Sequence, residues 1–178
     1  MRVIAGEFRS RRLKSIPGLA TRPTPDRLRE TLFDILGPRV EGAVFLDAYA
    51  GTGAVGIEAI SRGAAQAIFI ERSKGAEKVL RENLASLGIE GRALVALGAA
   101  TSLIPRHKAG IVFLDPPYDH EGEYGKVLQL LGESPPELVI AQHSVRLTLP
   151  KTCGRLVCTR VVRQGDNALS FYCAADSQ

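Results

Sequence analysis

From residue 43 onward, short apolar runs alternate with amphipathic segments, and this alternation constrains the fold more than any other feature of the sequence. Apolar runs without polar alternation are typical of strands that are buried on both faces, as in a parallel sheet covered by helices. We predict strands at Ala43–Asp47, Gln66–Glu71, Ala93–Leu97, Gly110–Asp115 and Leu138–Ala141, and helices at Ala54–Ser61, Gly75–Leu87 and Tyr124–Leu131.

The end of the chain follows a different pattern. Arg155–Val162 and Ala168–Cys173 are two β-like runs separated only by a short turn with Gly165 at its start, which predicts an antiparallel hairpin. The predicted fold class is therefore α/β. It is a single doubly wound, Rossmann-like domain with a mainly parallel sheet and an antiparallel C-terminal hairpin.

Residues 1–40 precede the alternation and carry the excess of positive charge. They hold 9 Lys and Arg against 4 Asp and Glu, whereas the net charge of the whole chain is +4. Arg2–Ala5 and Arg12–Ser15 predict a small hairpin, and Thr24 as N-cap with Pro25 predicts the start of a helix. We expect a basic N-terminal extension, residues 1–40, before a main domain, residues 41–178. Either the extension binds a polyanion or it is a solvated basic face.

Composition excludes several classes of protein. The chain of 178 residues, with 45% apolar and 24% charged residues, is typical of one soluble globular domain. No apolar stretch approaches the roughly 20 residues of a membrane span, and the N-terminus lacks the apolar region of a signal peptide. We therefore expect a cytoplasmic protein. Three cysteines and three histidines show no metal-ligand spacing, so we expect no metal.

A glycine-rich loop follows the first predicted strand of the main domain. Gly51, Gly53 and Gly56 form a G-x-G-x-x-G pattern between a strand and a helix, the context of a nucleotide-type site. Asp47 at the end of the strand would repel a pyrophosphate but can accept hydrogen bonds from an ammonium group. Glu71 ends the next strand and is placed to accept both hydroxyls of a ribose. These residues indicate an adenosine ligand and leave nicotinamide and S-adenosylmethionine cofactors both open.

The sequence Asp115-Pro116-Pro117-Tyr118 follows another buried strand. Two prolines fix two φ angles and end the strand rigidly. We expect this strand beside the one that precedes the glycine loop, so that the Asp-Pro-Pro-Tyr rim (residues 115–118) faces the cofactor.

This tetrad resembles the signature of class I S-adenosylmethionine-dependent methyltransferases that act on planar exocyclic or amide nitrogens. The segment "RVIAGEFRSRRLKSIPGLATRPTPDRLRETLFDIL", followed by "DAYAGTGAVGIEAISRGA", "FIER", Asn83-Leu84, "FLDPPY" and "GDNALSFY", is similar to the RsmD family, which methylates guanine N2 in bacterial small-subunit ribosomal RNA. Two residues depart from that family's pattern. Gln142 stands where an acid is common, and Gln164 replaces a tyrosine.

The resemblance implies roles for individual residues. S-adenosylmethionine, which leaves as S-adenosylhomocysteine, would be bound without metal by Asp47, Ala50, Gly51, Gly53, Glu71, Arg72, Gly98 and Ala99. The target base would be held by Asp115, Pro116, Pro117 and Tyr118. Phosphates of ribosomal RNA, or of an assembling small subunit, would be bound by Arg9, Arg11, Arg12, Arg22, Arg27 and Arg29. We expect a monomer with no membrane partner.

Three other functions keep part of this pattern. An adenine-N6 methyltransferase of RNA or DNA would use the same catalytic residues. A nicotinamide-dependent oxidoreductase would keep the glycine loop and Glu71 but would leave the tetrad unexplained. A non-catalytic RNA-binding assembly factor would not require Asp115.

Overall fold

The computed structural model describes residues 1–16, 26–117 and 120–175. Within these residues, eight strands form one sheet in the order β3-β2-β1-β4-β5-β8-β7-β6, which confirms the predicted α/β fold. The strands are β1 Val44–Asp47, β2 Gln66–Glu71, β3 Ala93–Leu97, β4 Ile111–Leu114, β5 Leu138–Ser144, β6 Thr152–Cys153, β7 Leu156–Gln164 and β8 Asn167–Ala174. The helices are α1 Asp26–Leu36, α2 Ala54–Ser61, α3 Lys74–Leu87, α4 Ala100–Leu103 and α5 Gly122–Glu133.

The first five strands are parallel, and β1 lies in the middle of them. It pairs with β2 on one side and with β4 on the other. This arrangement confirms that the strand before Asp115 is the neighbour of the strand before the glycine loop. The carboxyl ends of β1, β2 and β4 therefore meet at one edge of the sheet, where ligands of doubly wound folds bind.

Strands β7 and β8 form the predicted antiparallel hairpin, and β8 joins it to β5. Pairing with β8 continues as far as Ser144, so β5 is three residues longer than the predicted strand that ended at Ala141. Two short elements, α4 with four residues and β6 with two, were not predicted. Elements this short do not show a hydrophobic period.

Helices cover the sheet on both faces. On one face α1 and α2 pack on Phe45, Phe113 and Ile140, and on the other α5 packs on alternate residues such as Val112 and Val139. Side chains of successive strand residues point to opposite faces, so these two sets assign the positions of β1, β4 and β5 to a face. The face covered by α1 and α2 is called the α1 face below. Among the described residues, no helix has the length and apolarity needed to cross a bilayer.

Residues 1–16, the N-terminal arm, pack against the main body. Residues 1–3 and 11–13 pair antiparallel as a short form of the predicted hairpin, with a bridge between Arg2 and Arg12. Val3 and Leu13 are buried in one cluster with side chains of α2 and α3. Thr24 and Pro25, the predicted start of α1, lie outside the described residues. The arm thus shares the core of the main body, and the division of function at residue 40 stays a prediction.

Candidate active site

The glycine loop leaves β1 at Asp47 and enters α2 at Ala54. Gly53 has a φ of 87°, in the left-handed region that favours glycine, and a Cβ on it would lie 2.2 Å from Cδ1 of Leu80. Gly56, one turn into α2, would meet Cε1 of Phe69 at 2.3 Å. The second and third glycines therefore permit α2 to approach α3 and the sheet closely. At Gly51, by contrast, a Cβ would meet no atom within 4 Å, so the loop borders open space.

Asp47 is buried below this loop. Its Oδ2 atom accepts a hydrogen bond of 3.2 Å from the backbone N–H of Gly56. Burial raises the pKa of Asp47 to about 7, and the charge of Glu71 adds to the rise, while the Gly56 N–H opposes it. A cationic group beside Asp47 would favour the ionised carboxylate, so the site suits the ammonium group of a zwitterionic ligand.

Glu71 lies at the end of β2 with both carboxylate oxygens held by the backbone. Oε2 accepts a hydrogen bond of 2.7 Å from the N–H of Gly51, and Oε1 accepts one of 2.7 Å from the N–H of Ser73. Each carboxylate oxygen keeps a further lone pair. Glu71 therefore fixes the glycine loop and still has acceptors for the two hydroxyls of a ribose, which fits the adenosine part of S-adenosylmethionine.

The other residues predicted to bind the cofactor surround the same edge. Ala50 donates its N–H to the carbonyl of Ile70 at 2.9 Å, and Gly98 donates to the carbonyl of Glu71 at 2.9 Å. Ala99 and the side chain of Arg72 are exposed. The structure brings all of these residues to the carboxyl ends of β1, β2 and β3. Their contacts with a cofactor stay a prediction.

The Asp-Pro-Pro-Tyr rim begins directly after β4. The N–H of Ala48 donates to the carbonyl of Phe113 at 3.0 Å, which fixes the end of β4 beside the start of the glycine loop. Asp115 is half-buried, Pro116 is buried and Pro117 is exposed. Tyr118, the fourth predicted residue of the rim, lies outside the described residues. The acidic end of the rim is thus next to the loop that would hold the cofactor.

Two side-chain contacts cross this edge. The hydroxyl of Tyr49, in the glycine loop, donates to Oε2 of Glu123 in α5 at 3.2 Å. Nη2 of Arg72 lies 3.5 Å from Nε2 of His120, just after the rim. Burial and the Glu123 carboxylate raise the pKa of Tyr49, so its hydroxyl stays a neutral donor. These contacts tie the loops after β1, β2 and β4 together.

Three of the six predicted RNA-binding arginines lie on the N-terminal arm and are exposed: Arg9, Arg11 and Arg12. Arg11 donates from Nη2 to the carbonyl of Ser86 at 2.9 Å, which anchors it against α3. Arg27 is exposed on α1, and Arg22 lies outside the described residues.

Arg29 corrects the sequence prediction. Its side chain is 0% exposed, so no phosphate can reach it in this structure. Nη2 donates to the carbonyl of Arg2 at 2.6 Å and to Asp26 at 3.0 Å, and Nε lies 3.8 Å from Glu58. Burial lowers the pKa of Arg29, and the charges of Glu58 and Asp26 oppose that change. Arg29 therefore holds the arm, α1 and α2 together.

Two residues without a predicted role organise this region. Glu58, 0% exposed in α2, accepts the backbone N–H groups of Ile4 and Ala5 at 2.8 and 3.0 Å. Asn83, 1% exposed in α3, contacts both the arm and the glycine loop. The sequence contained one signal for Glu58, because an acid inside the otherwise apolar helix "AVGIEAIS" needs a buried partner.

The edge predicted to bind an adenosine ligand and the rim predicted to hold a planar amino group lie on adjacent strands of one sheet. A Rossmann-like sheet that carries both belongs to a class I S-adenosylmethionine-dependent methyltransferase. Among the described residues, no group of three or more His, Cys, Asp or Glu side chains is arranged to hold a metal ion.

Comparison with known proteins gives the family. The family model described as "Conserved hypothetical protein 95" matches residues 1–173, and the chain belongs to this family. YlbH of Bacillus subtilis is 35% identical over 181 residues, which cover 97% of this chain and 98% of YlbH. "Ribosomal RNA small subunit methyltransferase D" of Escherichia coli is 42% identical over 120 residues, 66% of this chain and 60% of that protein. The resemblance to the RsmD family is confirmed.

Solved structures agree with the fold. The structure of yhhF from Escherichia coli is 36% identical and has a TM-score of 0.84. The match covers 98% of this chain and 97% of the yhhF chain. An RNA methyltransferase from Salinibacter ruber in complex with S-adenosyl-L-homocysteine has a TM-score of 0.68 over 88% of this chain and 95% of its own. At 19% identity this second likeness shows the fold alone.

Proposed function

We propose that this methyltransferase transfers a methyl group from S-adenosylmethionine to the exocyclic N2 of a specific guanine in small-subunit ribosomal RNA. The observation that carries the proposal is the rim after β4, where Asp115 and Pro116 stand beside the glycine loop of β1. The name of the Escherichia coli relative supports ribosomal RNA of the small subunit as the substrate.

The cofactor would be held by the residues that line the edge of the sheet. Asp47 would accept from its ammonium group, Glu71 from its ribose hydroxyls, and the loop at Ala50, Gly51 and Gly53 would lie beside it. Arg72, Gly98 and Ala99 would flank its adenosine part. When bound, S-adenosylmethionine supplies an electrophilic methyl group on a sulfonium sulfur.

Asp115 and Pro116 would prepare the amino group of the target base. The lone pair of an aromatic amine is delocalised into the ring, which makes the nitrogen a poor nucleophile. Hydrogen bonds from its two N–H groups to the Asp115 carboxylate and the Pro116 carbonyl would direct that lone pair toward the methyl group. Pro116 and Pro117 keep both acceptors rigid, and Tyr118 would stack on the base. The proton that leaves the methylated nitrogen could pass to Asp115.

RNA binding would rest on the basic N-terminal extension. Arg9, Arg11, Arg12 and Arg27 are exposed, and contacts of this kind with phosphates weaken as salt rises. Arg22 is part of the same proposal. The target guanine would have to leave its stack, at a cost of a few kcal/mol that is lower in a loop or a partly assembled particle. We infer a cytoplasmic monomer acting on free RNA or on an assembling small subunit.

The adenine-N6 alternative keeps every residue of this site, so the product decides between them. Labelled methyl groups from S-adenosylmethionine would be transferred to small subunits and to protein-free ribosomal RNA, both from cells that lack the enzyme. The RNA would then be digested to nucleosides. We expect N2-methylguanosine at one stoichiometric site. N6-methyladenosine would replace the proposal by its alternative, and no transfer to either RNA would contradict it.

A further inference from the structure

The side chain of Gln142, in β5, is 3% exposed and its Oε1 atom has no hydrogen-bond partner among the described residues. The backbone of the same residue is satisfied, because its carbonyl accepts a hydrogen bond from the hydroxyl of Tyr124. A buried carbonyl oxygen without a partner costs free energy of folding, and such groups are rare in native proteins. The packing of the described residues does not give this oxygen a partner.

The register of the sheet places Gln142 beside the rim. β4 and β5 are parallel, and Leu114 is the partner of Ala141. Asp115 and Gln142 are the next residue in each segment and therefore lie side by side at the carboxyl ends of the two strands. Phe113 and Ile140, two residues earlier on each strand, both lie in the cluster on the α1 face. By the alternation of strand side chains, Gln142 points to that face as well, at the carboxyl end where the target base would bind.

The chemistry of a carboxamide oxygen selects one kind of base edge. In guanine, the exocyclic N2 is attached next to a protonated N1, whose N–H is a hydrogen-bond donor. In adenine, the exocyclic N6 is attached next to an N1 that carries a lone pair. An acceptor next to the rim would receive a hydrogen bond from N1–H of guanine. The same acceptor would face the N1 lone pair of adenine and be repelled by it. A buried group left unpaired by the wrong substrate is an effective basis of specificity.

We propose that Gln142 is a specificity-determining residue whose side-chain oxygen accepts a hydrogen bond from N1–H of the target guanine. This inference rests on the proposed guanine-N2 function and adds to it the residue that distinguishes guanine from adenine.

The test compares two bases that both carry a 2-amino group. Once the methylated position has been mapped, small subunits would be reconstituted with either guanine or 2-aminopurine there. 2-Aminopurine keeps the reactive amino group but has an unprotonated N1. We expect the wild-type protein to prefer guanine by about tenfold or more in kcat/KM. Gln142→Met, which keeps the length of the side chain but removes the acceptor, is expected to lower guanine methylation by about tenfold and to abolish most of this preference.

Gln164→Met is the matched control. Gln164 also has a buried Oε1 without a partner among the described residues, and it lies on β7, two strands away from β5. Its substitution should leave the ratio of guanine to 2-aminopurine methylation unchanged. Gln142→Glu keeps an acceptor at this position and should retain the preference for guanine over 2-aminopurine. This variant keeps the test decisive if Gln142→Met does not fold.

The outcomes separate the two proposals. If the wild-type protein does not produce N2-methylguanosine, the proposed function fails. If it does, but Gln142→Met keeps the full preference for guanine, or Gln142→Glu methylates both bases equally, the role of Gln142 alone is overturned.

Discussion

The side chain of Asn83 binds both backbone polar groups of Lys14, 69 residues earlier in the chain. The N–H of Lys14 donates to Oδ1 of Asn83 at 2.7 Å, and Nδ2 of Asn83 donates to the carbonyl of Lys14 at 3.2 Å. The same Nδ2 atom donates to the carbonyl of Thr52 in the glycine loop at 2.9 Å. One buried side chain therefore connects the N-terminal arm to the loop that would hold the cofactor.

Replacing Asn83 should destabilise the protein. Asn83→Leu keeps the approximate size of the side chain but leaves the polar groups of Lys14 and Thr52 without partners. We expect the free energy of unfolding, measured by urea denaturation, to fall by about 1–3 kcal/mol. Glu82→Ala is the control, because Glu82 forms an exposed ion pair of 2.8 Å with the same Lys14 and the loss of this pair should not move the urea midpoint. Equal effects of the two substitutions would show that Asn83 has no such role.

Arg27 and Arg29 provide a matched pair on one helix for the RNA proposal. Arg27 is exposed, whereas Arg29 is fully buried. In a plot of the logarithm of RNA affinity against the logarithm of salt concentration, Arg27→Met should reduce the slope by about one. Arg29→Met should instead lower the free energy of unfolding measured by urea denaturation, because its buried guanidinium is held by the Arg2 carbonyl, Asp26 and Glu58. A wild-type slope for Arg27→Met would remove Arg27 from the RNA interface.

Glu71→Gln should weaken cofactor binding. One side-chain oxygen would become an NH₂ group facing a backbone N–H of Gly51 or Ser73, and an acceptor for the ribose would be lost. We expect the Kd for S-adenosylhomocysteine, measured by calorimetric titration, to rise about tenfold or more. Glu77→Gln changes an acid of α3 that pairs with Arg81, and it should leave the Kd unaltered. An unaltered Kd for Glu71→Gln would remove Glu71 from the cofactor site.

Asp47 should make the stability of the cofactor-free protein depend on pH. Because burial raises the pKa of Asp47 from 3.8 to about 7, the folded protein keeps a proton that the unfolded chain has already released. The resulting stability is complete below about pH 4 and is lost as the pH rises through about 7. Relative to Asp47→Asn, the wild-type free energy of unfolding should therefore fall between pH 5 and 7, by at most about 1.4 kcal/mol per pH unit. A constant difference across this range would contradict the raised pKa.

The regular elements were predictable because their patterns are local. The bounds of α2, β2 and β3 agree with the predicted residues, since each is an apolar or amphipathic run ended by turn residues. The adjacency of β1 and β4 followed from the rules for doubly wound sheets. The glycine loop, Glu71 and Asp115 could be placed at one edge for the same reason.

Long-range burial was not predictable in the same way. Arg29, Leu32, Phe33 and Leu36 have the spacing of one buried helical face, and the charge of Arg29 led to the opposite expectation. What makes its burial tolerable is Glu58 in another helix, together with the Arg2 carbonyl in the arm. The side-chain oxygen of Gln142, which has no partner in the part of the chain that the structure describes, also depends on tertiary packing, which no local pattern of the sequence contains.

Activation of the target amino group by Asp115 should be visible in the rate of methyl transfer within a single turnover. Methyl transfer by Asp115→Asn and Asp115→Ala would be timed with saturating enzyme and S-adenosylmethionine on small subunits that lack the modification. Binding of cofactor and of RNA would be titrated in parallel. We predict a rate lower by about 100-fold or more with both affinities unchanged. Methyl transfer by Asp115→Ala at the wild-type rate would show that Asp115 does not activate the amino group.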